Sequence, residues 1–585
     1  MNESSSSDAI ARDVPVPGQL HKGFWGSDLI AATVRELEIS YIALVPGSSY
    51  RGLHDSIVNY LGNRTPQIVL TIHEETAVAI AHGYAKVTGR LMAAAVHANV
   101  GLMHAVMAVY NAWCDRVPLL LFGATGPWDA ARRRPWIDWI HTSSDQAALV
   151  RNFTKWDNQP GSPVAAVEAV LRAAQIAQTA PRGPVYVNFD VSLQETKISA
   201  IPPLPDTARY APPPPVHPAP DLVSRAAKLL SHAKQPVILA GRCSRSLAGW
   251  GERVALAEKL NAAVLTTTKL AAAFPTDHHL HAAPPALYFD QATEKLVANA
   301  DVVLSLDWLD LAGLLKQASR ATPFLGKVIH VSCDSHSHRG WSADHQGLPP
   351  VDLFLMCETD AAVPLLLEAV TPRLGSVNLP PRAPVPPVQN TISLRSLAAA
   401  LEAATHGVDV CYTRLPLGWN GAYIHWRHPL DYIGHDGGAG IGSGPGMTVG
   451  AGLALKGTGR VPIALMGDGD FLMGNTAIWT AVHYRIPALI VVCNNRSFFN
   501  DERHQRRVAE WRGRPLENCW IGQRLDDPDI DIAGMARMQG AVGIGPVTEA
   551  ASLQAAIEEG IAAAQAGLVC VINVRMPPGY DIEDE

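Results

Sequence analysis

The stretch Gly467-Asp468-Gly469-Asp470, preceded by the apolar run Val461–Leu465 and followed by Leu489-Ile-Val-Val-Cys-Asn494-Asn495-Arg496-Ser497, decides the fold of this chain. The first apolar run ends in a Gly-Asp-Gly turn. A segment with helical spacing follows through Phe471 and Trp479-Thr480 to Pro487. A second apolar run then ends in Asn-Asn. Strand, turn, helix, strand is one βαβ unit. Such a unit brings Asp468 and Asn495 together at the carboxyl ends of neighbouring parallel strands, where α/β sheets take their ligands. The N–H groups of the Gly467–Asp470 turn and of the helix start favour a diphosphate. A carboxylate, an amide oxygen and a main-chain carbonyl near Ser497 are hard oxygen ligands of the kind Mg²⁺ prefers.

Working outward, two proline-rich stretches, 201–220 and 372–388, divide the 585 residues. Such segments are stiff and extended, cannot enter a central strand, and read as linkers. They leave three pieces of similar size, 1–200, 221–371 and 389–585. The first shows strand patterns at 41–45, 67–71, 91–96, 118–122 and 184–188. The second shows them at 236–240, 263–266, 302–305 and 327–331, and the third at 409–411, 461–465, 488–492 and 569–574. Apolar strands alternating with helical segments predict an α/β protein of three doubly wound parallel-sheet domains.

Composition narrows the function. Hydrophobic residues make up 48% and charged residues 17%, so large cores can form, and the net charge of −7 with no long Lys/Arg run argues against nucleic acid. Eight cysteines without CxxC spacing point away from zinc and disulfides and toward a reducing, cytoplasmic setting. No apolar run is long enough to span a bilayer, and the first 18 residues lack the apolar centre of a secretory signal.

Two further motifs carry chemistry. Ile72-His73-Glu74-Glu75 leads into a helix of small residues through Ala77, Ala81 and Gly83, and Gly437-Gly-Ala-Gly-Ile-Gly-Ser-Gly-Pro-Gly446 is a glycine loop that lets a backbone approach a ligand closely. With the 27 positions between Asp468 and Asn495, these motifs resemble the thiamine-diphosphate enzymes of the decarboxylase and acetolactate-synthase branch. The resemblance covers nearly the whole chain. It implies a pyrimidine-binding domain, a central domain and a diphosphate- and Mg²⁺-binding domain in that order. By the match, Gly467, Asp468, Gly469, Asp470 and Asn495 contact the cofactor, with Asp468, Asn495 and Ser497 on the metal. The Ala439 carbonyl and the Ile441 N–H would meet the pyrimidine, and the Ile441 side chain would hold the cofactor bent. Glu74 would share a proton with N1′ of the pyrimidine, which leads to the C2 ylide. Glu75, one residue out of phase, should face elsewhere. The family's sites lie between subunits, which implies a homodimer or homotetramer.

On the substrate side, Ser48 and His97 match a serine and a histidine of benzoylformate decarboxylases. His97 is a candidate proton relay, its ordinary pKa being suited to that role, and Ser48 a candidate carboxylate ligand. His104, His278 and Ile478 are further substrate candidates. Ala477 stands where pyruvate decarboxylases carry glutamate, which implies a more apolar pocket. The basic segment Arg496–Arg514 could attract an anionic substrate or be a solvated helix face. The resulting expectation is a 2-oxo acid decarboxylase or carboligase. Acetolactate-synthase-type ligation, cleavage of 2-hydroxyketones or 1,2-diketones, and a non-catalytic regulator on the same scaffold remain alternatives. FAD or nucleotide binding in the central domain also stays open.

Overall fold

The computed structural model describes residues 12–18, 23–320, 323–334, 347–375, 377–380, 385 and 387–579. Three parallel sheets follow one another along the chain. The first holds β1 (Tyr41–Leu44), β2 (Gln67–Leu70), β3 (Ala93–Ala95), β4 (Leu119–Thr125), β5 (Asp157–Asn158) and β6 (Pro184–Asp190), in the order β2-β1-β3-β4-β6-β5. The second holds β7 (Pro236–Ala240), β8 (Ala263–Leu265), β9 (Val302–Leu306), β10 (Lys327–Val331) and β11 (Leu353–Leu355), ordered β8-β7-β9-β10-β11. The third holds β12 (Val410–Arg414), β13 (Val461–Gly467), β14 (Ala488–Asn494), β15 (Val542–Val547) and β16 (Val569–Arg575), ordered β12-β13-β14-β16-β15.

Central strands read as unbroken apolar runs because helices cover both faces of a parallel sheet. Every residue of β4 is buried accordingly. Three strands of these sheets escape the sequence patterns, β5, β11 and β15, and all three are edge strands. β5 is two residues long and β11 three. β15 contains two glycines and Pro546, and its register slips between Ile544 and Val547, a pattern that edge strands tolerate and central strands do not. The first proline-rich stretch carries a 3₁₀ turn at Thr207–Tyr210, and its Pro220 is already the first residue of the helix Pro220–His232. The second stretch falls partly outside the described residues (376, 381–384 and 386).

Two helices join the outer domains. α1 (Glu74–Thr88) is capped by the His73 ring, which accepts from the Glu75 N–H, and stops at Gly89 in the left-handed region (φ 67°). α2 (Ala98–Cys114) follows β3, and α3 (Gly444–Leu455) follows the glycine loop. α1 and α3 pack backbone to backbone. A Cβ on Gly83 would strike the Met447 carbonyl and one on Gly450 the Ile80 carbonyl. One apolar core therefore runs from Ile80 and Leu102 in the first domain through Val449 to Phe471 and Ile490 in the third. Among the described residues, no helix is long and apolar enough to cross a membrane.

Candidate active site

At the carboxyl end of the third sheet, β13 runs into α4 (Asp468–Gly474) and β14 ends beside it. Asp468 is 3% exposed. Its Oδ1 accepts the Gly469 N–H at 2.8 Å, while its Oδ2 is buried without a donor among the described residues. Burial pushes this carboxyl up to about 6, although N–H groups of Gly469, Arg496 and Ser497 pull the other way. A buried carboxylate in that state lacks a counter-charge. Asn495 is oriented by two bonds, its Oδ1 accepting from the Ser497 N–H at 3.1 Å and its Nδ2 donating to the Pro578 carbonyl at 3.0 Å. The Ser497 hydroxyl is taken by Glu502 at 3.0 Å, which leaves the main chain of Ser497 as its available ligand. A carboxylate oxygen without a partner beside an amide oxygen fits a hard divalent ion and the phosphates it would bridge. Gly469 supports the fit, since a Cβ there would press on the Phe498 ring at 2.5 Å.

The Asp470 carboxylate is fully engaged within the fold, which leaves its main chain as the group available to a cofactor. Oδ2 pairs with Arg414 at 2.9 Å, and Oδ1 accepts the Gly442 N–H at 2.7 Å and the Gly444 N–H at 3.3 Å. Arg414 also pairs with buried Asp436. Asp470 thus braces the glycine loop. Asn111 of α2 holds the other side of the loop, accepting from the Gly438 N–H and donating to the Ser443 hydroxyl, both at 3.0 Å. Ala439 takes a left-handed turn (φ 52°) at the exposed tip, with Ile441 half-buried after it.

The two neighbouring glutamates part company. Glu75 accepts from the Ser443 hydroxyl of its own chain's glycine loop at 3.1 Å. Burial raises its carboxyl, with the Ser443 bond opposing and Asp470 and Asp436 adding to the shift. Glu74, 8% exposed, turns to α2, where its Oε2 meets His104 Nδ1 at 3.1 Å. Gly101 makes room for it, because a Cβ there would lie 3.0 Å from Oε1. His73 stacks on His104 with ring centroids 5.1 Å apart.

His97 caps the start of α2 and is half-buried. Its Nδ1 lies 2.8 Å from the Oγ of Ser49, and the His141 ring stands edge-on at 4.8 Å. Burial lowers its pKa, His141 lowers it further and Glu74 works in the opposite direction. The serine beside His97 is therefore Ser49, not Ser48, whose side chain is exposed on the opening turn of the 3₁₀ helix Ser48–Tyr50. Sequence reasoning had no means to choose between adjacent serines and did not single out His141.

Of two other substrate candidates, one is inaccessible and the other is paired within the central domain. Ile478 lies on a short helix, α5 (Ala477–His483), and is fully buried in the core that joins the outer domains, so it offers no surface to a substrate. His278 pairs with Glu258 at 3.1 Å and packs on Phe274 and His279 inside the central domain. The basic segment forms an exposed helix, α6 (Phe499–Trp511), in which only Glu502 is buried.

Comparison with known proteins places the chain in a family. Residues 24–149 match the thiamine pyrophosphate enzyme N-terminal TPP binding domain, 223–342 the central domain and 416–574 the C-terminal TPP binding domain. The chain is 25% identical to the benzoylformate decarboxylase of Pseudomonas aeruginosa, over 87% of this chain and 92% of that one. It is 24% identical to the acetolactate synthase large subunit of Lactococcus lactis, over 84% and 86%. A similar fold occurs in the thiamine diphosphate-dependent 4-hydroxybenzoylformate decarboxylase of Rhodococcus jostii, with a TM-score of 0.76 at 22% identity over 95% of this chain and 99% of that one. With all three domains matched in order, the chain belongs to the thiamine pyrophosphate enzyme family, in the company of its decarboxylases and acetolactate synthases.

Proposed function

We propose that this chain is a thiamine diphosphate- and Mg²⁺-dependent 2-oxo acid decarboxylase or carboligase, which breaks or makes the bond beside a carbonyl. The observation that carries this reading is the buried, unpartnered Oδ2 of Asp468 at the end of β13, beside the end of β14 that leads to Asn495. That donor set fits a divalent ion. When bound, the cofactor supplies a carbon nucleophile that also accepts the electrons released as CO₂ leaves.

The protein's own groups do the rest. Asp468, Asn495 and the Ser497 main chain hold the ion. The loop from Ala439 to Ile441 orients the pyrimidine, fixed from below by Asp470 and from the side by Asn111. Glu74 holds the proton shared with the pyrimidine ring. His97 moves protons at the reacting carbon and oxygen, and the exposed Ser48 hydroxyl or the arginines of α6 receive the substrate carboxylate.

Glu75, rather than Glu74, meets the glycine loop of its own chain. Glu74 meets His104 instead, and Ile72 just before α1 and Val100, Met103 and His104 of α2 are 37–60% exposed in the single chain. Both facts support a site completed by a second copy, in a homodimer or homotetramer. The eight free thiols support a reducing, cytoplasmic setting.

A substrate panel tests the reaction. Benzoylformate, pyruvate, benzoin and a cyclic 1,2-diketone are supplied with thiamine diphosphate and Mg²⁺, while CO₂ and aldehyde are measured separately. CO₂ from a 2-oxo acid is the expected result. Turnover of diketones alone would replace this reading with C–C hydrolysis, and acetolactate as the main product of pyruvate would favour ligation.

A further inference from the structure

The ring of His97 is fixed from three directions. Its atoms lie against Gly47, where any Cβ would overlap them. The His141 ring stands perpendicular to it at 4.8 Å. Ser49, 5% exposed, closes the Nδ1 side at 2.8 Å. The direction of that last hydrogen bond follows from what the hydroxyl can reach. The Ala98 N–H donates to Ser49 Oγ at 3.2 Å and so takes none of its hydrogen. Among the described residues Nδ1 is the one acceptor placed for the buried hydroxyl's single hydrogen, and a bond from Nδ1–H to Oγ instead would leave that hydrogen without a partner. Nδ1 then carries the lone pair, and the proton of the neutral ring resides on Nε2.

We propose that Ser49 is a positioning residue that holds neutral His97 as the Nε2–H tautomer, so that the ring presents a hydrogen-bond donor to the substrate's carbonyl oxygen. This deepens the role given to His97 above and rests on that reading for its functional consequence, but not for the tautomer itself. Gln194 ties the Ser49 turn down, its Nε2 donating to the Ser49 carbonyl at 2.9 Å. The Ser49 hydroxyl is therefore set by the fold and not by a ligand. A fixed tautomer removes the reorientation otherwise needed at each turnover.

The test is magic-angle-spinning NMR of the [¹⁵N]histidine-labelled protein loaded with thiamine diphosphate and Mg²⁺, at a pH where His97 is neutral. The His97 signals are assigned by difference from His97→Gln. The expected wild-type spectrum shows protonated Nε2 and unprotonated Nδ1, and Ser49→Ala shows a mixture of tautomers. In steady state, Ser49→Ala lowers kcat by about tenfold with a smaller change in KM, the scale of one to two hydrogen bonds, and Ser49→Thr restores both tautomer and rate. A wild-type signal with protonated Nδ1 overturns the inference, as does an unchanged spectrum in Ser49→Ala. Unchanged turnover in His97→Gln would instead overturn the role of His97 in the reaction, while the tautomer assignment stands or falls on the spectra alone.

Discussion

Asp468 and Asn495 are held by the strand ends and turns of a single domain, whereas Glu74 depends on groups from a neighbouring helix, His104 and Gly101, and sits on a face that the single chain leaves partly open. At the first region the carboxylate is dry and lacks a charge partner. At the second the acid already has a polar neighbour, with exposed apolar side chains around it. One half of the candidate site is thus closed within a domain, while the other half lies on a partly open face. The difference teaches that cofactor anchoring and cofactor activation can be perturbed separately.

The sharpest way to break the comparison is Glu74→Gln. It should lower kcat by about 10²–10⁴-fold, the usual worth of a positioned acid, and leave bound thiamine diphosphate unchanged when the purified protein is assayed for the cofactor. Unchanged turnover would remove Glu74 from the activation step.

Arg414→Met tests the rigid half. It strips two buried carboxylates, Asp436 and Asp470, of their common cation. Loss of one partner of a buried pair costs about 3–5 kcal/mol, to be read from the urea midpoint. A cost near zero would mean that the glycine loop does not depend on this brace.

Asp468→Ala should abolish the thermal stabilisation that Mg²⁺ and thiamine diphosphate give together. For the wild type this is about 2.7 kcal/mol at a hundredfold excess over Kd. A variant that still copurifies with both would exclude Asp468 as the anchor. The smallest effect belongs to Glu75→Gln, which weakens one bond to Ser443 and should cost only about 1 kcal/mol of stability with little change in kcat. A loss of rate matching that of Glu74→Gln would erase the distinction between the two neighbours.

Acid sharpens the comparison further. Burial opposes ionisation of Asp436, yet Arg414 and His435 outweigh it and hold the carboxyl well below its ordinary range. Asp334 is depressed in the same way, with Arg242 and Arg116 outweighing its burial. A depressed folded pKa means that these pairs stabilise the protein fully above the unfolded carboxylate value of about 3.9 and lose that contribution as the pH falls below it. Asp468 is shifted in the opposite direction, because burial outweighs the main-chain N–H groups that oppose it. The loss of urea resistance below about pH 4 should therefore be smaller in Asp334→Asn than in the wild type.

Much of this was legible in the chain because it is local. Alternating apolar strands and helices determined three parallel sheets, since both faces of such a sheet must be covered and the strands become unbroken apolar runs. The Asp468–Asn495 spacing determined that both side chains reach one sheet edge, because a βαβ unit returns the chain to the same end. Edge strands β5, β11 and β15 escaped because the first two are only two and three residues long and the third carries two glycines and a proline. Tertiary structure alone decided which of two adjacent residues does what. Ser49 rather than Ser48 meets His97 across 48 positions, and Glu75 rather than Glu74 meets Ser443 across 368. It also committed Asp470 to Arg414 and buried Ile478. Periodicity gives the face of a strand or helix, but the partner waiting at that face arrives from distant chain, and only packing selects it.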